Sequence, residues 1–190
     1  MDIDRRPGQR LRGWTAALVV LAACSGRSDR SGGPALRLSD LPRGYAQTSG
    51  QSIDLLDEAP SALSAALRQA GRSSAYSAAF EALPPALRTT VQTLSVLSST
   101  EAGTKALFAD RSDLAREIGL VGLSLKEQPI GIGDDARLES TTIDGVSSVG
   151  VVFRDDDRVG LVGVHGVSGR GGERVAEQLA RALERRLRAA

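Results

Sequence analysis

Three short apolar runs near the C-terminal end, Arg137–Thr142, Val146–Phe153 and Val159–Val164, limit the fold more than any other part of the chain. Each is rich in β-branched residues, and the gaps between them hold Asp144-Gly145 and Asp155-Asp156-Asp157, residue types that close hairpins. Gaps this short force antiparallel pairing, because a parallel crossover needs a dozen residues or more. An amphipathic segment follows from about Gly172 to Arg188. Val175, Leu179, Leu183 and Leu187 share one stripe, and Glu177 with Arg181 and Glu184 with Arg188 stand four apart as supporting pairs. Such a helix buries its stripe against the sheet.

The chain ahead of these runs reads less sharply. Leu36, Leu38 and Leu41, closed by Pro42-Arg43-Gly44-Tyr45, predict a short first strand and a turn. Asp57-Glu58-Ala59-Pro60 suits a helix start, with Leu63, Ala66, Leu67 and Ala70 on one face and Gly71 as the stop. Ala75–Leu83 carries two periods: Tyr76 and Phe80 stand four apart, while Tyr76-Ala78-Phe80 alternate. A strand is preferred, since Pro84-Pro85 ends it and Val91–Leu97 offers a clear antiparallel partner. Ser98-Ser99-Thr100-Glu101 has the form of a capping box with Ser98 as cap. It opens a helix expected to reach Ile118, bury Leu107, Leu114 and Ile118, and stop at Gly119. Val121–Leu125 is a further expected strand. The sum is an α+β domain: an antiparallel sheet of about five to six strands, with helices packed mainly on one face.

The N-terminal segment obeys different rules. Arg5, Arg6, Arg10 and Arg12 precede an apolar stretch of ten residues, Trp14–Ala23, which ends at the only cysteine, Cys24. Ten residues rise about 15 Å as a helix, roughly half a bilayer core, so the stretch is too short to span one. A charged start, a short apolar run and small residues before a cut are the parts of a secretory signal. Leu21-Ala22-Ala23-Cys24 resembles the lipobox of bacterial lipoproteins. That resemblance implies a signal peptide over 1–23, a lipidated Cys24 at the mature N-terminus, and a cell-membrane location on the extracytoplasmic side. Two or more acyl chains hold a protein to a bilayer where one is marginal. Ser25–Pro34, with Gly26, Gly32 and Gly33 and no large apolar side chain, reads as a tether reaching about 18 Å, which makes 24–34 a linker and 35–190 the folded domain.

Charge excludes one class of partner. The chain has 24 basic and 23 acidic residues; residues 1–23 remove four arginines, with Asp2 and Asp4, leaving 20 basic against 21 acidic. That near-neutral balance is not that of a nucleic-acid binder. With Cys24 lipidated no thiol remains for a disulfide, so aliphatic packing carries the stability. His165, the only histidine, sits in Gly163-Val164-His165-Gly166-Val167-Ser168-Gly169 without a Gly-x-Ser-x-Gly elbow, and one histidine with no free thiol makes a poor zinc site. No catalytic set, metal or cofactor is expected. Gly166–Gly172 ahead of the last helix resembles a phosphate cradle without the P-loop ending. Arg170, Gly171 and Gly172 are therefore the candidate ligand-binding residues, against the plainer reading of a connecting loop. Asp155-Asp156-Asp157 lacks calcium-loop spacing and reads as a solvated turn. Asp134-Asp135 reads as a turn that caps local N–H groups. Arg181, Arg185 and Arg188 recur on the last helix, where anionic headgroups are one partner and water the favoured one.

Leu38-Ser39-Asp40-Leu41-Pro42-Arg43-Gly44-Tyr45, Gly71-Arg72 with Tyr76 and Phe80, Gly133-Asp134-Asp135-Ala136 and Val152-Phe153-Arg154 form a pattern similar to small extracytoplasmic lipoproteins of high-GC bacteria. Some of those resemble the external sensor domains of membrane kinases, although such domains often carry cysteines that this chain lacks. The resemblance implies an α+β fold without known catalysis. The expected function is a non-enzymatic, membrane-anchored domain that binds a partner protein or a small ligand. An envelope hydrolase using His165 and a purely structural envelope component are the rivals.

Overall fold

The computed structural model describes residues 34–53, 74–83, 89–111, 126–143, 146–167 and 170–190. After a 3-10 turn at Leu38–Asp40 come β1 (Tyr45–Ile53), β2 (Ser74–Ala82), β3 (Thr90–Leu97), α1 (Glu101–Ala109), β4 (Lys126–Pro129), β5 (Asp135–Ile143), β6 (Val146–Asp155), β7 (Arg158–His165) and α2 (Arg170–Arg188). The strands form one antiparallel sheet in the order β1-β2-β3-β7-β6-β5-β4. Two meanders thus meet where β3 pairs with β7. Among the described residues the sheet has seven strands, not five to six; the additions are a polar β1 and a four-residue β4. The expected first strand at Leu36–Leu41 is instead the 3-10 turn, in which Asp40 accepts the Arg37 N–H at 2.8 Å. The expected helix from Asp57 to Gly71, the Pro84-Pro85 stop, the Val121–Leu125 strand and the Asp144-Gly145 turn lie outside the described residues, as does everything before Pro34.

Strand alternation sorts the side chains onto two faces. On one, Ala78 and Phe80 of β2, Val91 of β3, Val162 and Val164 of β7, Val149, Val151 and Phe153 of β6, and Ala136 and Leu138 of β5 are buried together with Ala176, Leu179, Ala180, Leu183 and Leu187 of α2. The helical stripe read from the sequence is the core, widened by two alanines. Each large aliphatic chain buried this way contributes about 1.5–3 kcal/mol. Two glycines permit the fit. A Cβ on Gly160 would run into the Phe153 ring, which lies across β7 from the paired position on β6. A Cβ on Gly172 would stand 3.1 Å from the Val167 carbonyl oxygen and 3.3 Å from Val149 Cγ2, so a bare backbone lets α2 start close to β6.

α2 packs on the core face of the sheet, and α1 lies against β6 and β7. Arg111, two residues beyond α1, donates to Glu127 Oε2 at 2.8 Å, and the β4–β5 register puts Glu127 on the face away from α2. Thr100 rather than Ser98 caps α1, its hydroxyl accepting the Gly103 N–H at 3.1 Å. Ser98 supports the cap by accepting the Thr100 N–H.

The β6–β7 turn is fastened from every side. Asp156 has a φ of 52°. Its N–H donates to Asp134 Oδ2, its carbonyl accepts from the Thr104 hydroxyl at 2.7 Å, and the Asp157 carbonyl accepts the Ser98 N–H. Asp134, expected to cap its own loop, instead reaches this distant turn and also accepts from Arg154 at 3.1 Å. Asp155 is buried and bound at both oxygens by Arg188, at 2.7 and 3.0 Å. Asp155 thus works as a structural clasp, while Asp156 and Asp157 form the expected turn, with Asp156 exposed. The sheet's borders are polar: all four β4 residues are exposed, and β1 carries a register break between Gln47 and Ser49, where Gln47 Nε2 donates to the Ser49 carbonyl.

Candidate functional site

On the face away from α2, the register lines up Gln92 of β3, Gly163 of β7, Gly150 of β6, Glu139 of β5 and Glu127 of β4 in one row across the sheet. Two neighbouring strands present no side chain in this row. Gln92 and Glu139 flank the bare stretch across three strand spacings, roughly 14 Å. The next row on one side is apolar, Leu94-Leu161-Val152, with each side chain buried. The next row on the other side holds Thr90, His165 and Ser148 in register, and His165 Nδ1 lies 3.0 Å from Ser148 Oγ.

Glu139 is the chemical centre of this face. It is fully buried, and neither carboxyl oxygen has a hydrogen-bond partner. Leaving a buried acceptor unmatched costs about 1–3 kcal/mol, and more when it is charged. The side chain responds by keeping its proton to a higher pH than an ordinary glutamate. Burial, reinforced by the charge on Glu127 and opposed by Arg111, raises its pKa to about 7. Glu127 is occupied by Arg111, whose guanidinium carbon also lies 5.8 Å from the Phe108 ring centre. Gln92 Oε1 is likewise buried and unmatched. The row thus holds unmatched acceptor oxygens at its two ends and two buried glycines between them. Among the described residues no cluster of three or more His, Cys, Asp or Glu side chains could hold a metal ion.

The residues nominated from sequence lie elsewhere. Arg170 opens α2, Gly172 is buried against β6, and a Cβ at Gly171 would meet only Val167 Cγ1 at 3.8 Å. Close helix–sheet approach accounts for Gly172 without a ligand. His165, expected at the solvent-facing end of a strand, is half-buried and bonded to Ser148, while its sequence neighbour Ser168 lies outside the described residues. Cys24 lies outside them too. Sequence reading missed Glu139 because a single acid in Arg137-Leu138-Glu139-Ser140 gives no signal until its cross-strand neighbours are known.

A second feature stands at the C-terminal end of α2. An open cleft of about 340 Å³ has Arg37, Asp40, Arg185 and Arg186 in its walls. Arg186 grips Asp40 through Nε and Nη2, the latter at 2.8 Å. Burial raises the Asp40 pKa, but the hydrogen bonds from Arg186 and the Arg37 N–H outweigh it and hold the carboxyl below its ordinary range. Arg181 and Arg188 point to other tasks, donating respectively to the Gly131 carbonyl and to Asp155 with Glu184.

No protein-family model matches the sequence, and no curated protein does either. Among solved structures, the extracellular domain of PknH from Mycobacterium tuberculosis is similar at 7% identity and a TM-score of 0.50, covering 80% of this chain and 93% of that one. An uncharacterised protein from Mycobacterium smegmatis aligns at 12% identity and a TM-score of 0.42, covering 79% of this chain and 92% of its own. The first likeness extends over most of both chains and shows a shared fold.

Proposed function

We propose that the chain is a lipid-anchored extracytoplasmic binding domain with no catalytic chemistry of its own, and that its ligand brings hydrogen-bond donors to the Gln92–Glu139 row. Cys24 at the end of a short apolar run supports the anchor, and likeness in fold to an external kinase domain agrees with that compartment. One observation carries the binding reading: Glu139 and Gln92 keep unmatched, buried acceptor oxygens at the two ends of a glycine-floored row. Native proteins leave few such groups.

Two experiments test it. Exchange of Cys24 for Ala is expected to move the protein from membrane to soluble fractions; unchanged attachment would remove the anchor. Small molecules or a partner released from the natively purified protein, and lost from a folded Glu139→Leu variant, support the site. An identical set from both ends that part of the reading. A hydrolase would instead need His165 to take a proton from Ser148, so His165→Ala separates the two readings by abolishing turnover in the one and sparing ligand retention in the other.

A further inference from the structure

We propose that the cleft at the C-terminal end of α2 receives the phosphate of an anionic phospholipid headgroup and so fixes which end of the domain faces its membrane. The floor of the cleft is small, with Ala182 and Ala189, which leaves room between the charged walls. Its acidic side chain is already matched: Arg186 binds both oxygens of Asp40, and the Arg37 N–H adds a third bond. The guanidinium groups of Arg37 and Arg185 remain. Both residues are exposed, and neither side chain is bonded to an acid among the described residues. A planar guanidinium matches a phosphate with two parallel hydrogen bonds, so two of them beside a compensated pair favour a phosphodiester anion.

Position argues for a membrane as the source. Pro34 lies in the cleft wall, ten residues after Cys24 in the chain. Ten residues span at most about 35 Å even fully extended, so an anchored domain keeps this end near the headgroups. This step rests on the anchored reading above. Each basic residue near an anionic surface strengthens attachment roughly five-fold, which makes two worth roughly twenty-five-fold.

The test uses the full chain with Cys24→Ala, which removes the acyl anchor, in flotation with vesicles of phosphatidylcholine alone or with phosphatidylglycerol. Arg37→Gln with Arg185→Gln is expected to weaken attachment to the phosphatidylglycerol vesicles roughly twenty-fold and leave the neutral vesicles unaffected. Lys126→Gln with Arg174→Gln removes the same charge from other exposed positions and is expected to change attachment less than two-fold. Equal losses from both pairs, or none from the first, overturn the proposal. Glycerol phosphate, added at matched ionic strength, is expected to leave the vesicle-bound protein in place; release would make a soluble phosphate the ligand and overturn the membrane assignment. Circular dichroism confirms that each pair is folded. Fractionation of Cys24→Ala in cells reads the anchor separately, so the two ideas fail independently.

Discussion

The two faces of the sheet are built on opposite terms. Under α2 the buried side chains are mainly apolar from Ala78 to Leu187, interlocked around Phe80, Phe153, Leu179 and Leu183, with Thr93 and Ser95 as the buried hydroxyls of that face. Across the sheet, the same strands carry Glu139, Gln92 and the His165–Ser148 pair beside Leu94, Leu161 and Val152. The sheet is one object, so the difference is not a matter of strand propensity. It teaches that one face is given to holding the domain together, while the other tolerates an unmatched acid that an apolar residue of similar size would relieve. Buried groups that weaken a fold are retained where they have a task.

The largest expected effect breaks the stable face. Leu183→Ala opens a cavity beneath α2 and is expected to destabilise the domain by about 3 kcal/mol, read from urea unfolding. A loss near zero would mean that α2 is not what the sheet depends on.

The second prediction targets the other face and runs in the reverse direction. The Glu139 pKa lies at about 7 in the folded protein against 4.5 ordinarily, so its proton is bound more tightly when folded. The associated stability is fully present below the ordinary value and is lost as pH rises through about 7. Glu139→Gln mimics the protonated form. It is expected to match the parent near pH 4 and to be more stable by about 3 kcal/mol at pH 8, read from thermal unfolding at both. A parallel pH dependence in parent and variant would refute the assignment.

A smaller change sharpens the comparison at the helix end. Asp40→Asn removes the acid held by Arg186 and is expected to cost about 1 kcal/mol at neutral pH. The sign is opposite to that of Glu139. The Asp40 pKa is lowered, so its contribution is present above the ordinary aspartate value and disappears as pH falls through the folded one. Smallest of all is Lys105→Ala. Its partner Glu101 is exposed, and the unfolding midpoint is expected to stay within error of the parent.

The stable face was legible in the sequence, and the polar face was not. Apolar alternation marked β5, β6 and β7, and the leucine stripe marked α2, because burial on one side writes a period into the chain. Tyr45–Ile53 carries no such period: Gln47, Thr48, Ser49, Gln51 and Ser52 are exposed, so β1 is held by pairing to β2 rather than by its own hydrophobicity. Lys126–Pro129 is silent for the same reason. The Glu139 row needed pairing rather than composition. A two-residue turn at Asp156-Asp157 sets Gly150 opposite Gly163, and closure after Ile143 sets Glu139 opposite Gly150, so hairpin arithmetic carried to the end would have exposed it. The Asp40–Arg186 clasp joins residues 146 positions apart, and nothing local announces it.

The outermost strands have a bearing on life at high crowding. A short, charged β4 ending in Pro129 and a kinked, hydrophilic β1 give a neighbouring copy no straight ladder to extend. Molecules of this kind can brush past one another without zipping into fibrils. Straightening β1 by deleting Thr48 would remove that safeguard and turn a quiet rim into a seed for polymerisation.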